Sequence, residues 1–255
     1  MYENVVKSCR FLLNNYPDAN YIKSYLDSRL TFNSQELFQF GYFPNIFNLN
    51  VLTDLVSEDE LRASGLCFSK TIEDSLFPRI INSLHFEDFP LIMPFRDTYG
   101  EIVALVGRNM LSDQERSKNK ISKYKNTKFF NKGQYVFGLY ENKENIIKND
   151  LVYIVEGQFD VIRAMESGLK NVVALGCCHM TPYQFSVISR YTKNIILLLD
   201  NDQSGEKGRL LIERHFGDFA NIQNFYIPEP YKDIDEYLTK NNILKYEDIC
   251  FDIKC

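Results

Sequence analysis

Short apolar runs and helical segments alternate through the second half of this sequence. The apolar runs start at Leu151, Asn171, Asn194 and Ile222, and each is followed by a segment with capping residues or helical spacing. Strands that alternate with single helices lie parallel and are covered on both faces, so this pattern predicts an α/β fold with a parallel sheet. The run at 194–200 is strongly apolar, which predicts a central strand.

Acidic residues stand just beyond three of these predicted strands. They are Glu156, Asp200, Asp202, Asp233 and Asp235. An open parallel sheet gathers its ligands beyond the C-terminal ends of its strands, so these carboxylates are expected to lie at one edge. Carboxylate oxygens suit Mg²⁺ or Mn²⁺ and not zinc. The arrangement therefore predicts a divalent-metal site of the kind that acts on phosphate groups.

The alternative for each aspartate is a helix cap, because aspartate is favoured at helix N-termini. Asp160 and Asp235, taken singly, fit a cap as well as a metal ligand. Like charges crowded at one edge repel one another unless a cation neutralises them. The occurrence of acids after three separate strands favours the metal site for the group as a whole.

Cysteine and histidine spacing argues against a zinc centre. The six cysteines include no pair with CxxC spacing, and the three histidines form no ligand pattern with them. We therefore predict no zinc site and no structural disulfide. Cys177 and Cys178 precede His179, which leaves a catalytic thiol as a minor alternative to ordinary packing.

The chain of 255 residues is long enough for two modest domains with a core. No apolar run approaches the roughly 20 residues that cross a bilayer. The first residues lack the pattern of a signal peptide. These features predict an intracellular, cytoplasmic protein with no membrane partner.

The first part of the chain predicts a different organisation. Residues 1 to about 90 are predicted to be mainly helical, because they contain short segments with helical spacing or glycine stops, near residues 21–26, 33–41 and 57–65. Two apolar runs, 91–95 and 102–107, flank a polar turn and predict a β-hairpin. The polar segment 112–134 is predicted to be a loop.

This predicted loop carries most of the local positive charge. Between Arg116 and Lys132 there are seven basic residues and no acidic one, although the whole chain has a formal charge of −5. Phosphate contacts need a local basic patch and not a positive net charge. The alternative is a solvated lysine-rich surface, which is the commoner role of such a run.

Three segments resemble the acidic motifs of the Toprim domain. They are Glu156-Gly-Gln-Phe-Asp160, Asp200-Asn-Asp-Gln-Ser-Gly205 and Asp233-Ile-Asp-Glu-Tyr-Leu238. Toprim domains are shared by DnaG-type primases, topoisomerases of types IA and II, recombination-mediator proteins and some nucleases. The acidic motifs alone therefore leave the reaction open.

The preceding segments resemble the basic subdomain of bacterial and phage DnaG-type primases. They are Gly107-Arg108, Lys123-Tyr-Lys-Asn126, Phe130-Asn-Lys-Gly133 and Phe137-Gly-Leu-Tyr140, in that order. Two positions depart from the family pattern: Asn201 replaces a usual glycine, and Cys177 replaces a threonine. The family's N-terminal zinc-binding domain and C-terminal helicase-binding domain have no counterpart in the sequence.

The resemblance implies an α/β chain with an α+β basic subdomain at 1–145 (basic loop 108–133), a Toprim domain at 146–240 and a tail, or the start of a short helical segment, at 241–255. It implies a nucleotidyltransferase that makes short RNA primers from NTPs on single-stranded DNA. The expected metal ligands are Glu156, Asp200, Asp202, Asp233 and Asp235, with Glu156, Asp200 and Asp202 catalytic and Glu156 either a ligand or a general base. The residues expected to bind template or nucleotide are Arg108, Lys123, Lys125, Asn126 and Lys132.

Two other functions stay open from the sequence. A Toprim nuclease would use the same carboxylates to hydrolyse a phosphodiester, and a non-catalytic accessory subunit would bind single-stranded DNA without needing them. The missing domains imply further partners, namely a replicative helicase and a separate zinc-domain or template-recognition protein. Tyr124 is expected either to stack on a base or to pack in the core.

Overall fold

The computed structural model describes residues 2–72 and 79–241, so nearly all of the predicted tail 241–255 lies outside the described residues. The chain forms two compact units. The first comprises Met1–Phe95 and Ile102–Phe130, and the second comprises Arg96–Glu101 and Asn131–Cys255. The second unit resumes at Asn131, earlier in the chain than the predicted domain boundary between residues 145 and 146. The predicted boundary stays a prediction.

The first unit combines short helices with antiparallel strands, as predicted for an α+β subdomain. The prediction that residues 1 to about 90 are mainly helical is wrong for the strands at Gly41–Tyr42, Cys67–Ile72 and Arg79–Leu84. Its helices are α1 (Glu3–Asn15), α2 (Asn20–Asp27), α3 (Phe32–Leu37), α4 (Leu49–Thr53), α5 (Glu58–Ala63) and α6 (Asp113–Asn119). Its strands are β1 (Gly41–Tyr42), β2 (Cys67–Ile72), β3 (Arg79–Leu84), β4 (Leu91–Arg96), β5 (Ile102–Arg108) and β6 (Tyr124–Asn126). One sheet has the order β1-β4-β5-β6, and β2 pairs with β3 in a second sheet.

Close packing of α1 on β1 anchors the first sheet. An added Cβ at Gly41 would stand 2.7 Å from Cβ of Cys9, so only glycine lets the strand approach this near. The apolar face of α1 is buried there, including Val5 and Leu12. The predicted hairpin is confirmed as β4 and β5, which are neighbours in this sheet.

The prediction of a loop at 112–134 is wrong. Ser112 accepts a hydrogen bond from the backbone N–H of Glu115, and the Glu115 carboxylate accepts one from the backbone N–H of Ser112. This reciprocal capping box starts α6, in which Gln114, Glu115, Arg116 and Lys118 are also good helix formers. The Ser-x-x-Glu spacing was visible in the sequence. Strand β6 and a 3-10 turn at Lys132–Gln134 follow.

The second unit has the predicted α/β alternation. Its helices are α7 (Leu139–Asn149), α8 (Gln158–Glu166), α9 (Pro182–Ile188), α10 (Gln203–Phe216) and α11 (Ile234–Asn241). Its strands are β7 (Val152–Val155), β8 (Val172–Ala174), β9 (Asn194–Leu197) and β10 (Asn221–Asn224). The sheet order is β10-β9-β7-β8, and all three pairings are parallel.

The predicted central position of the most apolar strand is confirmed. Strand β9 lies between β10 and β7, with Ile195 and Leu197 fully buried. The backbone N–H of Leu198 donates to the carbonyl of Ile154, which brings the ends of β7 and β9 side by side. The acids that follow these strands therefore start from adjacent positions. Among the described residues, every helix is too short or too polar to cross a membrane.

Candidate metal centre

The carboxylates of Asp200 and Asp202 face one ammonium group. Nζ of Lys232 lies 3.4 Å from Oδ2 of Asp200 and 3.5 Å from Oδ2 of Asp202. Burial lowers the pKa of Lys232, but the charges and hydrogen bonds of the two aspartates outweigh burial, and the net shift of this pKa is upward. A cation is therefore already held between the two carboxylates that the sequence predicts as metal ligands.

Asn201 fixes the loop that carries Lys232. Its backbone N–H donates to the Lys232 carbonyl at 2.7 Å. Its side-chain amide donates to the carbonyls of Ile227 at 2.5 Å and Tyr231 at 3.1 Å. The Asn201 side chain therefore stabilises this loop through two hydrogen bonds. Glycine, which is usual at this position, has no side chain to make them.

Glu156 joins this group from the end of β7. Its Oε1 accepts a hydrogen bond from the backbone N–H of Asp200 at 3.2 Å. Partial burial, followed by the negative charges of Asp200 and Asp202, raises the pKa of Glu156 to about 7. Burial also raises the pKa of Asp200, although Lys232 opposes that shift. Crowded carboxylates with raised pKa values are typical of a site that binds a cation or moves a proton.

Asp202 caps a helix and also forms an ion pair with Lys232. Its Oδ1 accepts hydrogen bonds from the backbone N–H groups of Ser204 and Gly205, both at 2.9 Å, and so caps α10. These bonds, chiefly the one from Gly205, lower the pKa of Asp202. Its Oδ2 faces Lys232 instead. The cap therefore orients the carboxylate and keeps it charged while one oxygen stays directed at the cation position.

The other three acids have protein partners of their own. Asp160 is buried, and its Oδ2 accepts the backbone N–H of Gly157. Asp233 accepts the backbone N–H of Glu236 at 2.7 Å and caps α11, a role that the sequence offered to Asp235. Asp235 lies 3.6 Å from Nε of Arg163 on α8.

Asp160 is the buried member of the acidic group. Burial, and then the charges of Asp233, Asp200 and Asp235, raise the pKa of Asp160 well above its ordinary value. It is nine-tenths or more buried and keeps its hydrogen bond to the N-terminus of α8. Asp160 is the third residue of α8 and its side chain accepts the backbone N–H of the N-cap residue Gly157, so it is not itself the N-cap that the cap alternative describes.

Within residues 2–72 and 79–241, no three acidic, histidine or cysteine side chains converge closely enough to hold a metal ion as they stand. Lys232 occupies the position between Asp200 and Asp202. The chemistry of the group nevertheless fits a hard divalent cation, because the three donors nearest that position are carboxylates and a positive charge is already held there.

Arg209 is a site residue that the sequence did not reveal. It lies on α10, is 1% exposed, and donates from Nη1 to the carbonyl of Leu197 at 2.8 Å and from Nη2 to the carbonyl of Leu199 at 2.5 Å. Nη1 also donates to the carbonyl of Phe225 at 3.1 Å. Arg209 therefore ties the end of β9, which leads directly into Asp200, to the segment after β10.

Two family models match this chain. The model of the N-terminal domain of the DNA primase catalytic core matches residues 11–143, which is more than half of the 255-residue chain. A Toprim-like model matches residues 153–238, which include every strand-end acid described above.

The chain belongs to the DnaG-type primase family.

Its relatives in this family are considerably longer. The chain is 29% identical over 238 residues to the DNA primase of Aquifex aeolicus, which covers 89% of this chain and 43% of the relative. The crystal structure of the zinc-binding and RNA polymerase domains of the Aquifex aeolicus primase is similar, with 28% identity, a TM-score of 0.72 and coverage of 94% of this chain and 57% of that one. A DnaG primase catalytic domain bound to single-stranded DNA, 22% identical, shares the fold with a TM-score of 0.71 over 93% of this chain and 74% of that one.

Two paired strands of the first unit carry most of the predicted phosphate-binding residues. Strands β5 and β6 pair Arg108 with Tyr124 and Gly107 with Lys125. Nη1 of Arg108 donates to the hydroxyl of Tyr124 at 2.5 Å, and the guanidinium lies 5.2 Å from the ring centroid of Tyr25. Tyr124 is thus engaged with Arg108, within a half-buried strand pair.

The other predicted phosphate-binding residues occupy three different settings. Lys123 lies against the ring of Tyr124 at 5.7 Å, and Lys125 lies against the ring of Phe89 at 5.5 Å. The backbone carbonyl of Asn126 makes a 2.7 Å hydrogen bond with Nε2 of His85. Their roles in binding template or nucleotide stay predictions.

Lys132 lies in the second unit, with the carboxylates. Its Nζ donates to the carbonyl of Gly176, just beyond β8, at 3.2 Å. Gln184, which is 1% exposed, donates to the carbonyls of Lys132, Tyr135 and Leu175 and so holds this primase segment to the Toprim sheet. Nothing local in the sequence predicts such distant partners for Gln184.

Proposed function

We propose that this chain is the catalytic core of a primase that joins ribonucleotides into short RNA primers on single-stranded DNA. The observation that carries the proposal is the cation held between Asp200 and Asp202 at the strand ends, in a chain of the primase family. The basic segment supports the same function, because single-stranded nucleic acid is bound through its phosphates.

Divalent metal, Mg²⁺ or Mn²⁺, would be held by Asp200 and Asp202 with Glu156 beside them, and Asp233 and Asp235 complete the predicted ligand set. Bound there, the metal supplies charge neutralisation for the triphosphate and its pyrophosphate leaving group. Lys232 would then release the carboxylates and pair with phosphate oxygens. Glu156, whose pKa lies near 7, serves either as a ligand or as the acceptor of the 3′-hydroxyl proton.

In the first unit, Arg108, Lys123 and Lys125 would bind template or nucleotide phosphates, and Asn126 would complete this group. Lys132 would do so from the second unit. We propose a replicative helicase and a separate zinc-domain or template-recognition protein as further partners, which would add template affinity to this core.

The deciding experiment supplies the wild-type chain with single-stranded template, labelled NTPs and Mg²⁺ or Mn²⁺. We expect short, template-dependent oligoribonucleotides, with and without an added zinc-binding domain from a relative. Cleavage of the template without such products, lost in Asp200→Ala, would instead establish a nuclease. Binding of single-stranded DNA with neither reaction would establish an accessory subunit.

Replacing Lys232 by methionine is expected to raise the affinity for Mn²⁺ by about twofold to tenfold, because an internal competitor for Asp200 and Asp202 is removed. The measurement is isothermal titration calorimetry, in which Mn²⁺ is added to the metal-free protein. Lys207→Met is the matched control, since Lys207 is an exposed lysine on the first turns of α10 and has no ion pair among those described with these aspartates. A lower affinity in Lys232→Met would show that the lysine assists metal binding and does not compete with it.

The raised pKa of Glu156 predicts a pH dependence of metal binding. A carboxyl with a pKa of about 7 is largely protonated at pH 6, so protons compete with the metal there, by at most about tenfold per pH unit. The affinity for Mn²⁺ should therefore rise from pH 6 to pH 7.5 and then level off, and Glu156→Gln should weaken binding and flatten this dependence. An unchanged pH dependence in Glu156→Gln would remove Glu156 from the ligands and leave it the role of general base.

The same pKa shift predicts a change in stability without metal. Because the pKa of Glu156 is raised by folding, the protonated carboxyl favours the native state, and this contribution is fully present below pH 4.5 and lost as pH rises through about 7. The melting temperature of the metal-free protein should fall across that window by less in Glu156→Gln than in the wild type.

A further inference from the structure

The turn from Thr127 to Phe130 is fixed at both ends. The backbone N–H of Thr127 donates to the carbonyl of Leu105, and the Thr127 hydroxyl accepts the N–H of Leu105, so this residue is tied to β5. The N–H of Phe130 donates to the carbonyl of Thr127 and closes the turn. The Phe130 ring lies 5.0 Å from the ring of Phe95. The tip of the turn is thus held in one place.

The side chain of Phe129, at the tip of this turn, is exposed to solvent. Phe129 is 92% exposed, the largest value among the large apolar side chains of the described residues. A phenylalanine in this position contributes almost nothing to the hydrophobic core, because its surface stays in water. Packing therefore gives no reason for an aromatic residue here.

The backbone gives no reason either. Phe129 has φ of +66°, in the left-handed region that glycine and asparagine adopt readily and bulky side chains do not. The third residue of such a turn is ordinarily glycine for this reason. A glycine at this position would therefore make the turn more stable than phenylalanine does.

A cation lies against the ring, within a basic stretch of the sequence. Nζ of Lys128 lies 5.1 Å from the centroid of the Phe129 ring, within the segment between Arg116 and Lys132 that has seven basic residues and no acidic one. An exposed aromatic face flanked by lysines is how proteins hold single strands, since the base stacks on the ring and the lysines meet the phosphates.

We propose that Phe129 is a stacking platform for an unpaired base of single-stranded DNA, with Lys128 pairing with an adjoining phosphate. The inference rests on the proposed function only for the kind of strand that is bound. The proposal adds a residue that contacts a base to the first unit, where Arg108, Lys123 and Lys125 are expected to bind template or nucleotide.

The test measures binding of a fluorescein-labelled oligothymidylate by anisotropy, with Phe129→Gly and Phe129→Trp. Glycine should weaken binding by about five- to a hundredfold, while tryptophan should keep or strengthen it. Glycine should also leave the melting temperature unchanged or raise it, because it suits the left-handed backbone. Loss of affinity together with equal or greater stability is a result that a structural role of the ring would not produce.

Salt dependence separates the ring from the lysine. Phe129→Gly should leave the slope of log affinity against log salt unchanged, whereas Lys128→Met should reduce that slope by about one. Phe47→Ala is the matched control: Phe47 is 89% exposed in the same unit, but its neighbours Ile46 and Asn48 are bonded to Glu87 and Asp18, so DNA is not attracted there.

Two results would overturn the proposal. One is wild-type affinity for oligothymidylate in Phe129→Gly. The other is that Phe129→Gly loses as much affinity for an abasic oligonucleotide of the same length as it loses for oligothymidylate, because a stacking residue needs the base. Both are binding measurements, so they are independent of whether the wild-type chain makes primers, and failure of primer synthesis bears on the proposed function alone.

Discussion

Asp200→Asn is expected to reduce primer synthesis by about a thousandfold, because it removes one charge from the pair that holds the cation. Asparagine has the same shape, so the end of β9 should keep its position. In the wild type, burial raises the pKa of Asp200, which means that the charged carboxylate is disfavoured in the folded protein. The metal-free variant should therefore melt at the same temperature as the wild type or above it.

Three measurements check this prediction: primer synthesis, the melting temperature without metal, and the rise in melting temperature that Mn²⁺ produces. The variant should lose the first and third and keep the second. Asp218→Asn is the matched control, since Asp218 is an exposed aspartate in the turn after α10. Activity within about tenfold of the wild type would remove Asp200 from the catalytic residues.

Arg209→Met is expected to destabilise the second unit by about 3 kcal/mol, because the variant leaves the carbonyls of Leu197, Leu199 and Phe225 without their buried donor. Methionine fills much of the space but donates no hydrogen bond. A loss of this size corresponds to a fall in melting temperature of about 6 to 12 °C for a domain of this class. The melting temperature of Arg209→Lys should lie between those of the wild type and Arg209→Met, since one ammonium group cannot reach three carbonyls on two segments.

The control for Arg209 lies on the same helix. Arg214 is exposed, so Arg214→Met should change the melting temperature by little more than 1 °C. Primer synthesis by the fraction of Arg209→Met that is folded should also fall, since the end of β9 leads directly into Asp200. An unchanged melting temperature in Arg209→Met would show that water satisfies these carbonyls equally well.

Local patterns predicted much of the second unit. Apolar runs such as 194–200, and the cap residues that follow them, specify strands and helices through nearest neighbours, and parallel alternation then leads to the covered sheet. The same patterns place Glu156, Asp200 and Asp202 beyond the ends of strands. The loop predicted at 112–134 was wrong: the lysine-rich polar composition indicates a loop, but the local Ser112–Glu115 capping box starts a helix there.

The acidic edge of an α/β sheet was thus determined by the sequence itself, together with the basic segment that precedes it. The tertiary structure alone decided which cation Asp200 and Asp202 hold, since Lys232 lies some thirty residues away and reaches them through the loop that Asn201 fixes. It also decided that Arg209 supports the strand end. Periodicity and capping act over a few residues, whereas these contacts depend on segments that only folding brings together.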